Sequence, residues 1–187
     1  MGRFAAVACG LALLSACGGS APATFDLTAP RSGITARAAR GQMLVAEPSA
    51  TSPVDGDRIV VRTGAESVAY LTGAQWSDRL PRLVQTRLIQ TFENGKSLRA
   101  VGRPGDKIVA DSTLTSEIRR FEIDVTTGQA VVEISAKLVG ESSGRVIAAK
   151  IFTAQTAGSA SNGGAAAAAL DEALGSVLRQ IVAWASR

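Results

Sequence analysis

Between residues 107 and 155 the chain alternates apolar and polar side chains in three successive stretches separated by short glycine-containing turns. Phe121, Ile123 and Val125 alternate with Arg120, Glu122 and Asp124, and Thr126-Thr127-Gly128 makes a turn. Ala130, Val132, Ile134, Ala136 and Leu138 then form one face of a second strand, with Glu133, Ser135 and Lys137 on the other. After the turn Gly140 to Gly144, a third strand runs from Arg145 to Gln155. A period of two with turns this short predicts an antiparallel meander covered on one face.

Two segments with helical periodicity supply the cover. Leu80, Leu83, Val84, Leu88 and Phe92 recur at steps of three and four, so Trp76 to Phe92 is read as an amphipathic helix. Ser77 or Asp78 caps its first turn, Pro81 lies within that turn, and Asn94-Gly95 ends it. A second helix, Ala165 to Trp184, carries Leu170, Leu174, Val177, Ile181 and Trp184 on one stripe. Shorter strands are expected at Met43–Ala46, Arg58–Arg62 and Ser67–Leu71, and Phe25-Asp26-Leu27 begins the fold. The expected fold is α/β (α+β): one compact domain, a mixed, largely antiparallel sheet of about five or six strands, and two amphipathic helices on one face.

The first residues have a separate role. Arg3 precedes an apolar run of 11 residues, Phe4 to Leu14, which suits a secretory leader and is too short to cross a bilayer. The run ends in Leu14-Ser15-Ala16-Cys17, followed by Gly18-Gly19, and resembles a bacterial lipobox. That resemblance implies a signal peptide over 1–16, a diacylglycerol on the Cys17 sulfur, and acylation of the new amino terminus. Residues 17–24 then form the lipidated Cys and a flexible tether, and residues 25–187 the domain. Two or more acyl chains anchor a protein stably to a membrane.

Composition restricts the chemistry. The 187 residues include no His and only 2 Cys, which removes Ser-His-Asp and Cys-His nucleophiles and a four-Cys zinc site. Gly140-Glu141-Ser142-Ser143-Gly144 has the letters of a nucleophile elbow, but a strand follows it where a helix is required, so it is read as a hairpin turn. Gly95-Lys96-Ser97 looks like the tail of a phosphate-binding loop, yet position 90 is Gln and the segment follows a helix. Glu117, Glu122, Asp124 and Glu133 sit at alternating strand positions beside Arg or Lys and are read as a solvated sheet face. The expectation is a non-enzyme with no cofactor or metal beyond the lipid on Cys17.

The net charge is +4 and aromatic residues make up 4% of the chain, too few stacking platforms for nucleic acid. Arg79, Arg82, Arg87, Arg119 and Arg120 could face acidic lipid headgroups or an acidic partner, or form a solvated basic face. Trp76 and Trp184 each stand at the end of a helical stripe, where core packing competes with partner or lipid contact. Trp76, Arg79, Arg82 and Trp184 are therefore the candidate partner- or lipid-contact residues, and Cys17 the lipidation site.

The stretch from Tyr70 through Gln75-Trp76-Ser77-Asp78-Arg79-Leu80-Pro81-Arg82-Leu83-Val84-Gln85 is similar to a segment of the ABC-type transport auxiliary lipoproteins, a PqiC-like family. The similarity extends to the Phe-Asp-Leu start, Arg58-Ile59-Val60-Val61-Arg62, Phe92-Glu93-Asn94, Glu117 to Glu122 and the Ala-rich helix ending at Trp184. Gln75 stands where that family often has Arg. The resemblance implies a non-catalytic, periplasm-facing outer-membrane lipoprotein. It would be the anchor or adaptor for the MCE-domain protein of an ABC/MCE-type system moving phospholipid or other hydrophobic molecules between inner and outer membranes. It also implies a possible homo-oligomeric ring. The alternative is a lipoprotein that itself carries a lipid or small hydrophobic ligand, which needs an apolar cavity between sheet and helices. A cell-envelope hydrolase is the third reading.

Overall fold

The computed structural model describes residues 21–31, 33, 41–96 and 98–186. The leader, Cys17 and the first part of the tether lie outside the described residues. The meander forms as expected: β7 (Ser112–Asp124), β8 (Gln129–Gly140) and β9 (Val146–Ala157) pair antiparallel in sequence order. The connecting turns use Gly128 and Gly144 at positive φ, a conformation open to glycine without steric cost. The elbow-like letters at 140–144 are thus the turn between β8 and β9.

Along its other edge β7 meets three short strands laid end to end. β2 (Gln42–Val45) pairs with 112–114, β3 (Ser49–Ala50) with 117–118 and β4 (Arg58–Arg62) with 122–124, all parallel. A single 3-10 turn, Ser52–Val54, takes up the slack between β3 and β4 and buries Val54. β5 (Val68–Trp76) lies outside β4, β1 (Ala23–Phe25) outside β5, and β6 (Ala100–Gly102) outside β2. Among the described residues the sheet is mixed and has nine strands, not five or six. The additional strands β1, β3 and β6 are two or three residues long, too short for alternation to mark.

Three sequence expectations change at their boundaries. β7 begins at Ser112, not Lys107, and carries a bulge between Ile118 and Arg120. The extra residue lets Ile118 and Phe121 both enter the core, three positions apart. β5 continues past Leu71 to Trp76, its register with β4 shifted across Gly73, which has φ +72. Trp76 therefore ends a strand and does not start a helix. β1 begins at Ala23, two residues inside the stretch read as tether.

The two helices are α1 (Leu80–Gly95) and α2 (Gly163–Ala185). α1 has Arg79 at its N-cap with no side-chain cap, and Pro81 fits because first-turn N–H groups lack intrahelical partners. Gly95 is the last helical residue, and Lys96 takes the left-handed position that closes it. α2 is capped by Asn162, whose Oδ1 accepts from the Ala165 N–H at 2.8 Å. Its stripe Leu170, Leu174, Val177 and Ile181 is fully buried, and Ala166 and Ala173 beside it are buried too. The core from both helices meets the inward residues of β7, β8 and β9 in one cluster.

Candidate functional site

The candidate contact residues do not converge. Trp76 is 1% exposed and stacks edge-to-face on Phe121 of β7, with centroids 5.7 Å apart. It is a core residue, placed inward by the end of β5. Trp184, near the end of α2, is half-buried against Phe152 of β9 at 5.4 Å. The two indoles thus pack on different strands of the meander.

Arg79 bridges Glu47, in the connection from β2 to β3, and Asp55, just after the 3-10 turn, at 3.2 and 2.5 Å. The hydrogen bond that Arg79 donates to Asp55, and the charge of that carboxylate, hold the Arg79 guanidinium above its already high ordinary value. One side chain at the N-cap of α1 therefore fastens two loops on the edge of the sheet. Arg82, one turn on, pairs with Asp78 at 3.3 Å and stays more than half exposed. Of the four candidates, Arg82 offers the freest surface.

The other arginines also have acidic partners. Arg87 binds Asp26 at 2.7 Å, Arg119 binds Glu117 at 3.3 Å, and Arg120 binds Glu122 at 2.7 Å. All five members of the expected basic face are neutralised by intramolecular pairing, so its net positive character is small. Asp26 is pushed up by burial, but the hydrogen bonds from Arg87 and the Leu27 N–H outweigh this and hold it below the ordinary carboxylate range.

The solvated-face reading of the strand carboxylates holds only in part. Glu122 is 3% exposed and is gripped by two arginines. Arg62 donates to both of its oxygens at 2.7 and 3.0 Å, and Arg120 donates to one of them. Asp124 accepts from the Thr126 hydroxyl at 2.6 Å and from the Thr126 and Thr127 N–H groups. The Thr126 hydroxyl is the main cause of its lowered pKa. Sequence reasoning missed this cluster because burial of alternate strand positions on the uncovered face has no signal in a period of two.

Two clefts open to solvent. One of about 680 Å³ lies between the loop after β1 and α1, lined by Thr28, Arg31, Arg87 and Glu93 among others. A smaller one of about 170 Å³ is lined by Ser49, Thr115, Ser116, Glu117, Ser135 and Lys137. Between sheet and helices, buried side chains from both meet in one cluster. Among the described residues no three His, Cys, Asp or Glu side chains gather as a metal site, and no helix is long and apolar enough to cross a membrane.

Comparison with known proteins places this arrangement. A family model described as "ABC-type transport auxiliary lipoprotein component" matches residues 25–182. The crystal structure of protein XCC0632 from Xanthomonas campestris is 30% identical, superposes with a TM-score of 0.74, and covers 89% of this chain and 94% of its own. A second crystal structure, of an uncharacterized protein, has a TM-score of 0.67 at 13% identity over 87% of this chain and 97% of its own, a likeness of fold. The uncharacterized protein bll6063 of Bradyrhizobium diazoefficiens is 32% identical over 173 residues, which are 89% of this chain and 46% of that protein. The chain spans about half the length of that curated relative. The chain belongs to the family of ABC-type transport auxiliary lipoprotein components.

Proposed function

We propose that the protein is a periplasm-facing outer-membrane lipoprotein, anchored through acyl chains on Cys17, that serves as adaptor for the MCE-domain protein of an ABC-type lipid transport system. The observation that carries this reading is the family match over residues 25–182, nearly the whole domain. The lipobox ending in Cys17 agrees with it. A separate ATPase and permease would supply energy and passage, and this chain would supply docking, as a single copy or as a homo-oligomeric ring. The carrier alternative gains no support from the packed interface between sheet and helices.

Deletion of the gene in its own bacterium tests the role. The expected result is altered outer-membrane phospholipid content and easier entry of hydrophobic dyes, restored by the wild-type chain and not by Cys17→Ala. Unchanged lipid content and an unchanged barrier would contradict it.

A further inference from the structure

The two ends of the sheet differ sharply in charge. At one end lie the connections 63–67, 125–128 and 157–164, and of these 17 residues only Glu66 is charged. At the other end lie 103–111 and 141–145, and of these 14 residues six are charged: Arg103, Asp106, Lys107, Asp111, Glu141 and Arg145. The charges bordering the uncharged end are paired within the domain. Arg62 grips Glu122 and donates to the Ala65 carbonyl, and Asp124 is occupied by Thr126 and Thr127. Val68 and Val125, 43% and 46% exposed, stand there on either side of Arg62, at the ends of β5 and β7.

The chain enters the domain from this end. β1 is parallel to β5, with Ala23 opposite Ala74, and β5 starts at Val68 on the uncharged side. The start of α2 packs here too, with Gly163 against Ala74 and Phe25. A Cβ on Gly163 would lie 2.6 Å from that of Ala74, so the approach needs glycine.

We infer that this uncharged end, formed by 63–67, 125–128 and 157–164, faces the bilayer surface and holds the domain upright on it. The inference rests on the acyl anchor at Cys17. From Cys17 to Ala23 the chain spans six residues, about 20 Å at most when extended. The 13 residues of β7 make the sheet about 40 Å tall. So short a leash keeps Ala23 near the headgroups while the charged end stands clear in the aqueous space. The uncovered sheet face would bring exposed Glu117, Arg119 and Lys137 to the lipid, and the α2 side exposed Glu172. The β9 edge carries exposed Val146, Ile147 and Ile151 with Lys150 as its one charge, but it lies five strands from β1, about 24 Å, beyond the reach of the leash. The uncharged end lies within the leash and carries only Glu66, so its apposition strips little hydration from ionic groups.

The test uses the full-length lipoprotein, purified from membranes and reconstituted in phosphatidylcholine–phosphatidylethanolamine vesicles containing headgroup-nitroxide lipid. Single cysteines Ala65→Cys and Ser161→Cys mark the uncharged end, Lys107→Cys and Ser142→Cys the charged end, and Ile151→Cys the β9 edge. Each carries a fluorophore, and unchanged melting confirms each fold. The expected result is at least threefold stronger quenching at positions 65 and 161 than at 107 and 142, unchanged between 0.05 and 0.5 M salt. Equal quenching at both ends, or strongest quenching at 151, would overturn the orientation. Intact mass reports the lipid on Cys17 separately: an unmodified Cys17 removes the anchor and the orientation together. A lipidated chain with the wrong quenching pattern removes only the orientation.

Discussion

Arg62 holds Glu122 through two parallel hydrogen bonds, Nε to Oε1 at 2.7 Å and Nη2 to Oε2 at 3.0 Å, on the sheet face away from the helices. A carboxylate taken out of water depends on its partners. Arg62 and Arg120 keep a quarter to a third of their side chains exposed, whereas Glu122 keeps 3%. Removal of the cation therefore costs more than removal of the anion. Arg62→Met is expected to lower stability by about 3 kcal/mol in urea unfolding. Glu122→Leu should cost less, since both arginines can turn to solvent. The double variant should recover part of the Arg62→Met loss, and a purely additive cycle would contradict the pairing.

The loop after β1 is pinned to α2 by one carboxylate. Asp171 accepts from the Thr28 N–H at 2.7 Å and from its hydroxyl at 2.6 Å. Asp171→Ala is expected to cost about 1–2 kcal/mol and to open residues 26–31 to protease. Thr28→Val should lose only the hydroxyl bond and about half as much. Melting curves and limited proteolysis read both.

Acid stability follows from Asp26 and Asp124, both held below the ordinary carboxylate range in the folded protein. In the unfolded chain each titrates near about 3.9. As pH falls, the unfolded chain takes up protons first, so this stabilisation is complete above about pH 5 and is lost as pH drops through the folded values. The melting temperature should be flat from pH 8 to 5 and should fall below about pH 4. Asp124→Asn should lower the plateau and shallow the acid decline. A decline that begins above pH 6 would point to other groups.

Trp76 and Arg82 should separate packing from contact. Trp76→Ala empties a core site and is expected to cost about 3–5 kcal/mol, with partner binding lost only through unfolding. Arg82→Glu disturbs one exposed pair and should change stability by about 0.5 kcal/mol or less. On the adaptor reading it weakens capture of the MCE protein at unchanged melting temperature.

The parts legible in the sequence were those with sustained period. Leu170, Leu174, Val177 and Ile181 announced α2, and the alternation from Ala130 to Leu138 announced β8, because many residues repeat one spacing. The second half of β5 was hidden because Gly73 reads as a stop, while in the fold its positive φ shifts the strand's register. The partners of Arg79 and Arg87 were hidden because Glu47, Asp55 and Asp26 lie 24 to 61 residues away in the chain from the cations they meet. The parallel stacking of β2, β3 and β4 along β7, with α1 returning over their connections, brings Arg79 to Glu47 and Asp55, and the pairing of β1 with β5 sets Asp26 beside α1. Cys17, by contrast, is a local motif, and its reading needs no tertiary contact.

The central claim, docking to an MCE-domain protein, is met most directly by affinity purification. The tagged full-length lipoprotein would be crosslinked in native membranes, and the recovered proteins and lipids identified by mass spectrometry. The account predicts recovery of an MCE-domain protein, dependent on the acylated Cys17. Recovery of lipid with no MCE protein at any crosslinking time would contradict it and leave the family fold serving a carrier.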